Sequence, residues 1–210
     1  MAGLKSTVVA IVLGAVAAAA LLFLYHRHVQ ERERVAQARQ LKNELTVRTL
    51  ETFSDLVFAR LTTASMLQAA LQRKAAAEEL AQLKRAHDAA YADAATRMPR
   101  VLVGAQRLLD PDSHAELEGL VQAHRRPLEL LSRCVTDAYD ARVGGERAPQ
   151  MNCDVQTLLN VSRDCSEALT SALGKEFALG LPLAPNQAAR VSVAATEVRR
   201  RCDIAATGVA

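Results

Sequence analysis

Residues 50–71 read LETFSDLVFARLTTASMLQAAL. Apolar side chains recur at Leu50, Phe53, Val57, Leu61, Ala64, Leu67 and Leu71, in steps of three and four. A chain that turns once in about 3.6 residues gathers those positions on one face, so the spacing predicts an amphipathic helix. A strand would need alternation at every second residue. The stripe weakens downstream through Ala76, Leu80, Leu83, Ala90 and Ala94, and no helix breaker stands between Gly14 and Pro99. The simplest reading is one very long helix reaching about Thr96, with residues 73–79 as the place for a kink. Upstream, Val35, Ala38, Leu41 and Leu45 are thinly spaced in a polar stretch. Glu44 and Arg48 have the i,i+4 order of a solvated helix pair. Residues 26–47 therefore read as a helical stalk with coiled-coil character.

The composition agrees with a helical chain. Hydrophobic residues make up 50% of the 210, yet aromatics only 3%, so the apolar content is mostly Ala and Leu. Alanine favours helix and has little volume, which suits long helices in close contact. With 9 Gly and 6 Pro, a turn-rich β fold is disfavoured. A net charge of +3 is too small to argue for nucleic acid, and no aromatics interleave with basic residues.

Residues 7–25, TVVAIVLGAVAAAALLFLY, carry no charge. Nineteen helical residues span about 28 Å at about 1.5 Å each, close to the hydrocarbon thickness of a bilayer. Tyr25 and His26-Arg27-His28 follow where polar groups return at an interface. The segment reads as a retained signal anchor. The competing readings are a signal peptide cleaved among Ala17 to Ala20 and a soluble core helix. Orientation is contested. Lys5 and the amino terminus on one side face Arg27, Arg32, Arg34, Arg39 and Lys42 on the other, which favours a cytoplasmic body. The cysteines favour the opposite.

Beyond Pro99, which should end the long helix, residues 100–109 form a short segment. Asp110-Pro111-Asp112-Ser113 reads as a turn, and Ser113 with Glu116 as a capping box starting the next helix. The face of that helix is Leu117, Leu120, Val121, His124, Leu128, Leu131 and Cys134, with Pro127 expected to kink it. Residues 142–152 form a loop. Helices then run from Asp154 to about Phe177 and from Asn186 or Gln187 to about Ala206, with Gly208 as terminator. The whole is an all-α chain: a tail (1–6), a transmembrane helix (7–25), a stalk (26–47) and a bundle of about four helices (48–210).

The four cysteines, Cys134, Cys153, Cys165 and Cys202, all lie beyond the first 133 residues, and none forms CxxC. An even number confined to one folded region fits two disulfides in an oxidising compartment. Cys165 continues the stripe Val155, Leu158, Leu169, Ala172, and Cys202 continues Val191, Ala195, Val198. A hairpin folded about Gly180–Pro185 brings those two level. Cys134 and Cys153 end and begin successive helices. The register predicts Cys134–Cys153 and Cys165–Cys202; the alternative is Cys134–Cys165 with Cys153–Cys202. Cys153–Cys165 is disfavoured, because twelve helical residues hold them about 18 Å apart. Four buried thiols would be the cytoplasmic counterpart.

No nucleotide loop, HExxH, ExxH pair or GxSxG is present, so no catalytic, metal or cofactor residues are assigned. His26-Arg27-His28 reads as a membrane flank. Asp110, Asp112, His114, Glu116 and Glu118 read as turn and capping chemistry. Arg199-Arg200-Arg201 reads as a solvated helix end, and the Asn160-Val161-Ser162 sequon as accidental. His87, His114 and His124 read as partly exposed helix residues. The expected function is a non-enzymatic scaffold or partner-binding module of the cell envelope, anchored in the bilayer. Its partner would be another protein or a second copy docking through helix faces. The alternatives are a ligand-sensing bundle working with a partner, and a phage-type inner-membrane spanin.

Overall fold

A computed structural model describes residues 2–106, 111–144, 153–175 and 187–204. Side chains are described within those ranges except at 2–20, 111–113, 175 and 187–190. The described residues are helical apart from 73–76, 153–154 and 202–204, with no strand among them. Five helices follow in order: α1 (Ala2–Gln72), α2 (Ala77–Gln106), α3 (Pro111–Gly144), α4 (Val155–Lys175) and α5 (Gln187–Arg201). The chain divides into two compact units, Met1–Lys42 and Asn43–Ala210.

In the first unit the described residues belong to α1 alone. Leu21, Leu22, Phe23, Leu24 and Tyr25 are all exposed on it. Among the described residues no helix is long and apolar enough to cross a membrane. The side chains of residues 7–20, most of the expected span, lie outside the described residues.

The second unit holds two apolar clusters. The first joins Phe53 and Val57 of α1, Ala105 of α2, Leu117 and Leu120 of α3, Leu169 of α4, and Ala195 and Val198 of α5. The second joins Ala64, Leu67 and Ala70 of α1, Leu80 of α2, Leu131 and Val135 of α3, and Leu158 and Leu159 of α4. The stripe that opens at Leu50 thus runs through both. Within the unit α3 packs against α2, α4 and α5, and α4 against α5.

Several helix boundaries differ from those expected. The long helix does not reach Thr96: the chain turns at 73–76. There Lys74 takes a positive φ of 56°. The Lys74 amide donates to Leu71 O and the Ala75 amide to Ala70 O. This is the paired-bond stop that a left-handed residue after a helix allows. Glu78 and Glu79 then favour the positive N-terminal end of α2, and Arg73 pairs with Glu79 across the turn. No glycine or proline announces this stop, which is why the sequence pattern runs over it.

Pro99 does not end a helix. α2 continues to Gln106, so the expected short segment is the continuation of that helix. Proline at 99 removes the amide that would bond the Ala95 carbonyl, and its ring crowds that turn. Met98, Val101, Leu102 and Ala105 nonetheless pack on the first cluster, and this burial offsets the loss. Pro127 likewise sits inside α3. α3 itself starts at Pro111, with proline at the first helical position, where its missing amide costs nothing. Ser113, the expected cap, is instead the third residue of α3, so the expected turn over 110–113 is already helical from Pro111. α4 starts as expected: Asp154 accepts from the Thr157 amide at 3.1 Å and the Thr157 hydroxyl at 2.6 Å. These bonds hold its carboxyl below its usual pKa. α5 ends at Arg201, before the expected Ala206; Gly208 lies outside the described residues.

Candidate functional site: a polar layer and its cavity

All four cysteines are disulfide-bonded. Cys134 pairs with Cys153 (Cα–Cα 5.8 Å) and Cys165 with Cys202 (4.7 Å). This is the pairing favoured by helical register. Cys165 and Cys202 lie in the first apolar cluster, and Cys134 lies in the second with Cys153 against it. Each half of the core therefore has its own covalent staple.

Between the two halves lies a layer of buried polar side chains. Arg60 on α1, His87 on α2, His124 on α3 and Ser162 on α4 all fall on the apolar faces of their helices. Each stands between residues of the two clusters: Arg60 between Val57 and Ala64, His124 between Val121 and Leu131. Every one occupies a stripe position. Arg60 is three residues after Val57 and four before Ala64, and His87 is seven after Leu80 and seven before Ala94. The signal was in the sequence as polar residues in apolar register. His87 and His124, expected to be partly exposed, are only 2% and 3% exposed. Their helices bury the whole stripe, whatever residue it carries.

Arg60 is 9% exposed. Its Nη2 donates to the Leu128 carbonyl and to Ser132 Oγ, each at 3.2 Å. The guanidinium lies over the ring of Tyr91, 4.9 Å from the centroid. Its Nε finds no acceptor among the described residues. The described side chains also give it no carboxylate within ion-pair distance; Glu129 is taken by Arg125. Burial lowers the Arg60 pKa from its ordinary value. A guanidinium remains charged under any ordinary condition, so the interior here holds a cation.

His124 makes a 2.9 Å hydrogen bond from Nε2 to Ser166 Oγ and stands 5.3 Å, centroid to centroid, from Phe53. Ser166 gives its one proton to the Ser162 carbonyl at 2.6 Å. It must therefore accept from His124, which fixes the neutral tautomer with the proton on Nε2. Burial first, and the charge of Arg60 second, push the His124 pKa down to about 4. A serine beside a histidine invites comparison with a nucleophile and its base. Here the serine donates to its own helix, a bond that serines commonly make in helices. No carboxylate contributes to the electrostatics of the imidazole, and a group with a pKa near 4 is a poor base at neutral pH. The pair is suited to holding α3 against α4. The Ser162 hydroxyl and His87 Nδ1 are buried without partners among the described residues. Burial also lowers the His87 pKa.

Three hollows adjoin this layer. A cavity of about 300 Å³ is lined by Arg60, Tyr91, His124, Arg125 and Glu129, with apolar walls from α2 and α3. Pro99 and Ala95, whose carbonyl that proline deprives of its helical donor, line it too. A second hollow of about 530 Å³ shares Tyr91, Arg125 and Glu129 and adds His87, Lys84 and Asp88. A wider groove of about 920 Å³ runs between α1 and α4, past the exposed Phe58 and Met66.

The remaining sequence leads stay at the surface. His26 to His28 are exposed, with His26 bonded to Gln30 at 3.1 Å. Asp110 and the Asp112 side chain lie outside the described residues, and Glu116 pairs with Arg199 at 2.8 Å. Arg200 and Arg201 both bind Glu197, which holds its carboxyl well below the usual range. That basic run is thus committed within the fold. Asn160 sits mid-helix and accepts from Gln156. No group of metal-ligating side chains occurs among the described residues. The chain matches no protein-family model, and neither a curated protein nor a solved structure shows significant similarity to it.

Proposed function

We propose that the chain is a single-pass, membrane-anchored helical protein whose disulfide-bonded body works outside the cytoplasm as a non-enzymatic binding module of the cell envelope. In this reading residues 1–6 are a short tail, 7–25 the anchor, 26–47 the stalk and 48–210 the body. The observation that carries it is the pairing of all four cysteines, one disulfide in each half of the core. Such bonds persist in oxidising compartments and are reduced in the cytosol. The charge-free run supports the anchor. So does the exposed pentad Leu21 to Tyr25, an apolar surface that water does not favour. Against this stands the excess of Arg and Lys just after the run; the disulfides outweigh it, because four thiols have to be kept oxidised. A protein partner or a second copy would use the exposed helix faces, with Phe58 and Met66 as contact points. Nucleic acid is not expected.

The test is rapid alkylation of intact membranes, followed by non-reducing digestion and peptide mass spectrometry. The reading expects Cys165 joined to Cys202 and Cys134 to Cys153. Four alkylated thiols would move the body to the cytoplasm and overturn it.

A second reading, a ligand-sensing bundle acting through a partner, is favoured by one observation: a buried cation without a carboxylate partner beside a cavity. Helical bundles place ligand sites between facing helices in this way.

A further inference from the structure

We propose that the cavity beside Arg60 binds a small organic monocarboxylate, the guanidinium taking the carboxylate and the apolar wall taking the hydrocarbon. The proposal rests on the ligand-sensing reading and names its ligand class; it does not depend on the compartment.

A cation removed from water is costly unless paired, and isolated buried charges are therefore rare. Arg60 is nine-tenths buried; a carbonyl, a hydroxyl and a ring face meet it, and the Glu129 carboxylate attracts it only from beyond ion-pair distance. Both of its hydrogen bonds use one nitrogen, Nη2, while Nε has no acceptor among the described residues. A guanidinium presents a planar fork that matches the two oxygens of a carboxylate. The adjoining volume of about 300 Å³ is at the small end of ligand pockets. Its walls away from Arg60 include Met98, Leu102, Val121 and Leu128. The charges lining the cavity are Arg60 and Arg125 against Glu129, an excess of one positive charge, which a monoanion balances. His124, neutral at physiological pH, adds none. A dianion would exceed the balance, and a purely polar anion would leave the apolar wall uncovered.

The experiment uses the full chain in nanodiscs with its disulfides intact. Benzoate and 3-methylbutanoate are titrated, with benzamide, 3-methylbutanamide and inorganic phosphate as controls. Binding is read by thermal shift and by calorimetry. The carboxylates should raise Tm saturably, and the amides and phosphate should not. Arg60→Met should weaken carboxylate binding at least about tenfold, since a charge-assisted bidentate pair is lost. Replacing a buried unpaired charge by an apolar side chain is tolerated or stabilising, so this variant should fold. Met98→Trp, which fills the apolar end and leaves the guanidinium in place, should also weaken binding. No saturable response to either carboxylate overturns the proposal. So does an equal response to the amides, or unchanged affinity in both variants, which would leave Arg60 a packing residue. The compartment test reads disulfides alone, so either idea can fail without the other.

Discussion

The buried imidazole of His124 makes the body acid-sensitive by a predictable amount. In the unfolded chain this group takes up a proton near pH 6.5; in the fold it does so only near pH 4. Between those values the unfolded state binds more protons, so stability falls as pH falls through that window. Well above pH 6.5 the group contributes no pH dependence, and well below about pH 4 it contributes no further change. Linkage between pKa values of 6.5 and about 4 gives a loss of about 2 kcal/mol at pH 5 and about 3 kcal/mol at pH 4, relative to pH 7.5. His87, whose pKa is also lowered by burial, adds a loss of the same sign. Comparison with His124→Gln separates the two. Glutamine has nearly the same volume, does not titrate, and keeps a donor near Ser166. Urea unfolding followed by circular dichroism at pH 7.5, 6 and 5, on the full chain with disulfides intact, supplies the measurement. The wild-type protein should lose about 2 kcal/mol more than the variant between pH 7.5 and pH 5. The ring resonances of His124 should titrate near pH 4 in the folded protein. Equal acid slopes for the two proteins would refute the reasoning, since the imidazole would then be reaching water or a partner that stabilises its charge.

Three further outcomes follow from the core and its ends. Lys74 holds a left-handed conformation that costs an L side chain about 1–2 kcal/mol, partly offset by backbone entropy; Lys74→Gly should stabilise by about 0.5–1 kcal/mol in urea titrations. Replacing Cys165 and Cys202 by serine opens a loop with a sequence separation of 37 and should cost about 4 kcal/mol. The same change at Cys134 and Cys153, with a separation of 19, should cost about 3 kcal/mol, so the first pair should lower Tm more. Phe53→Ala, at a side chain 1% exposed in the first cluster, should cost about 3–5 kcal/mol by denaturant unfolding.

How much of this was legible depended on whether a feature acts locally. The stripe from Leu50 to Leu71, the registers of Cys165 and Cys202, and the Asp154 start of α4 are patterns within one turn or one face. They read directly from spacing. The stop at Lys74 did not, because it rests on a conformation that lysine ordinarily avoids and that neighbouring packing holds. The continuation of α2 through Pro99 did not either. Proline disfavours helix by local geometry, and only the burial of Val101, Leu102 and Ala105 on another part of the chain reverses that preference. The candidate site failed to show for a third reason. Arg60 and His87 lie in register with apolar residues, but a charged residue interrupting a stripe looks locally like an ordinary solvated position. That Arg60 and His124 share one level is a property of how α1 and α3 are aligned, which no single helix encodes.

This alignment bears on why the layer exists. An apolar layer at that level would be simpler to satisfy: Arg60 Nε, His87 Nδ1 and the Ser162 hydroxyl are buried without partners, and an unmet buried polar group costs about 1–3 kcal/mol. Register alone could be fixed with less, since the His124–Ser166 bond already ties α3 to α4. What that bond does not explain is the cation on α1, beside a cavity and under a tyrosine ring. If Arg60 served only to align α1 with α3, Arg60→Met should change helix alignment and leave carboxylate response intact. If it serves a ligand, the variant should gain stability and lose that response, the trade expected of a site whose groups are held unsatisfied until something binds.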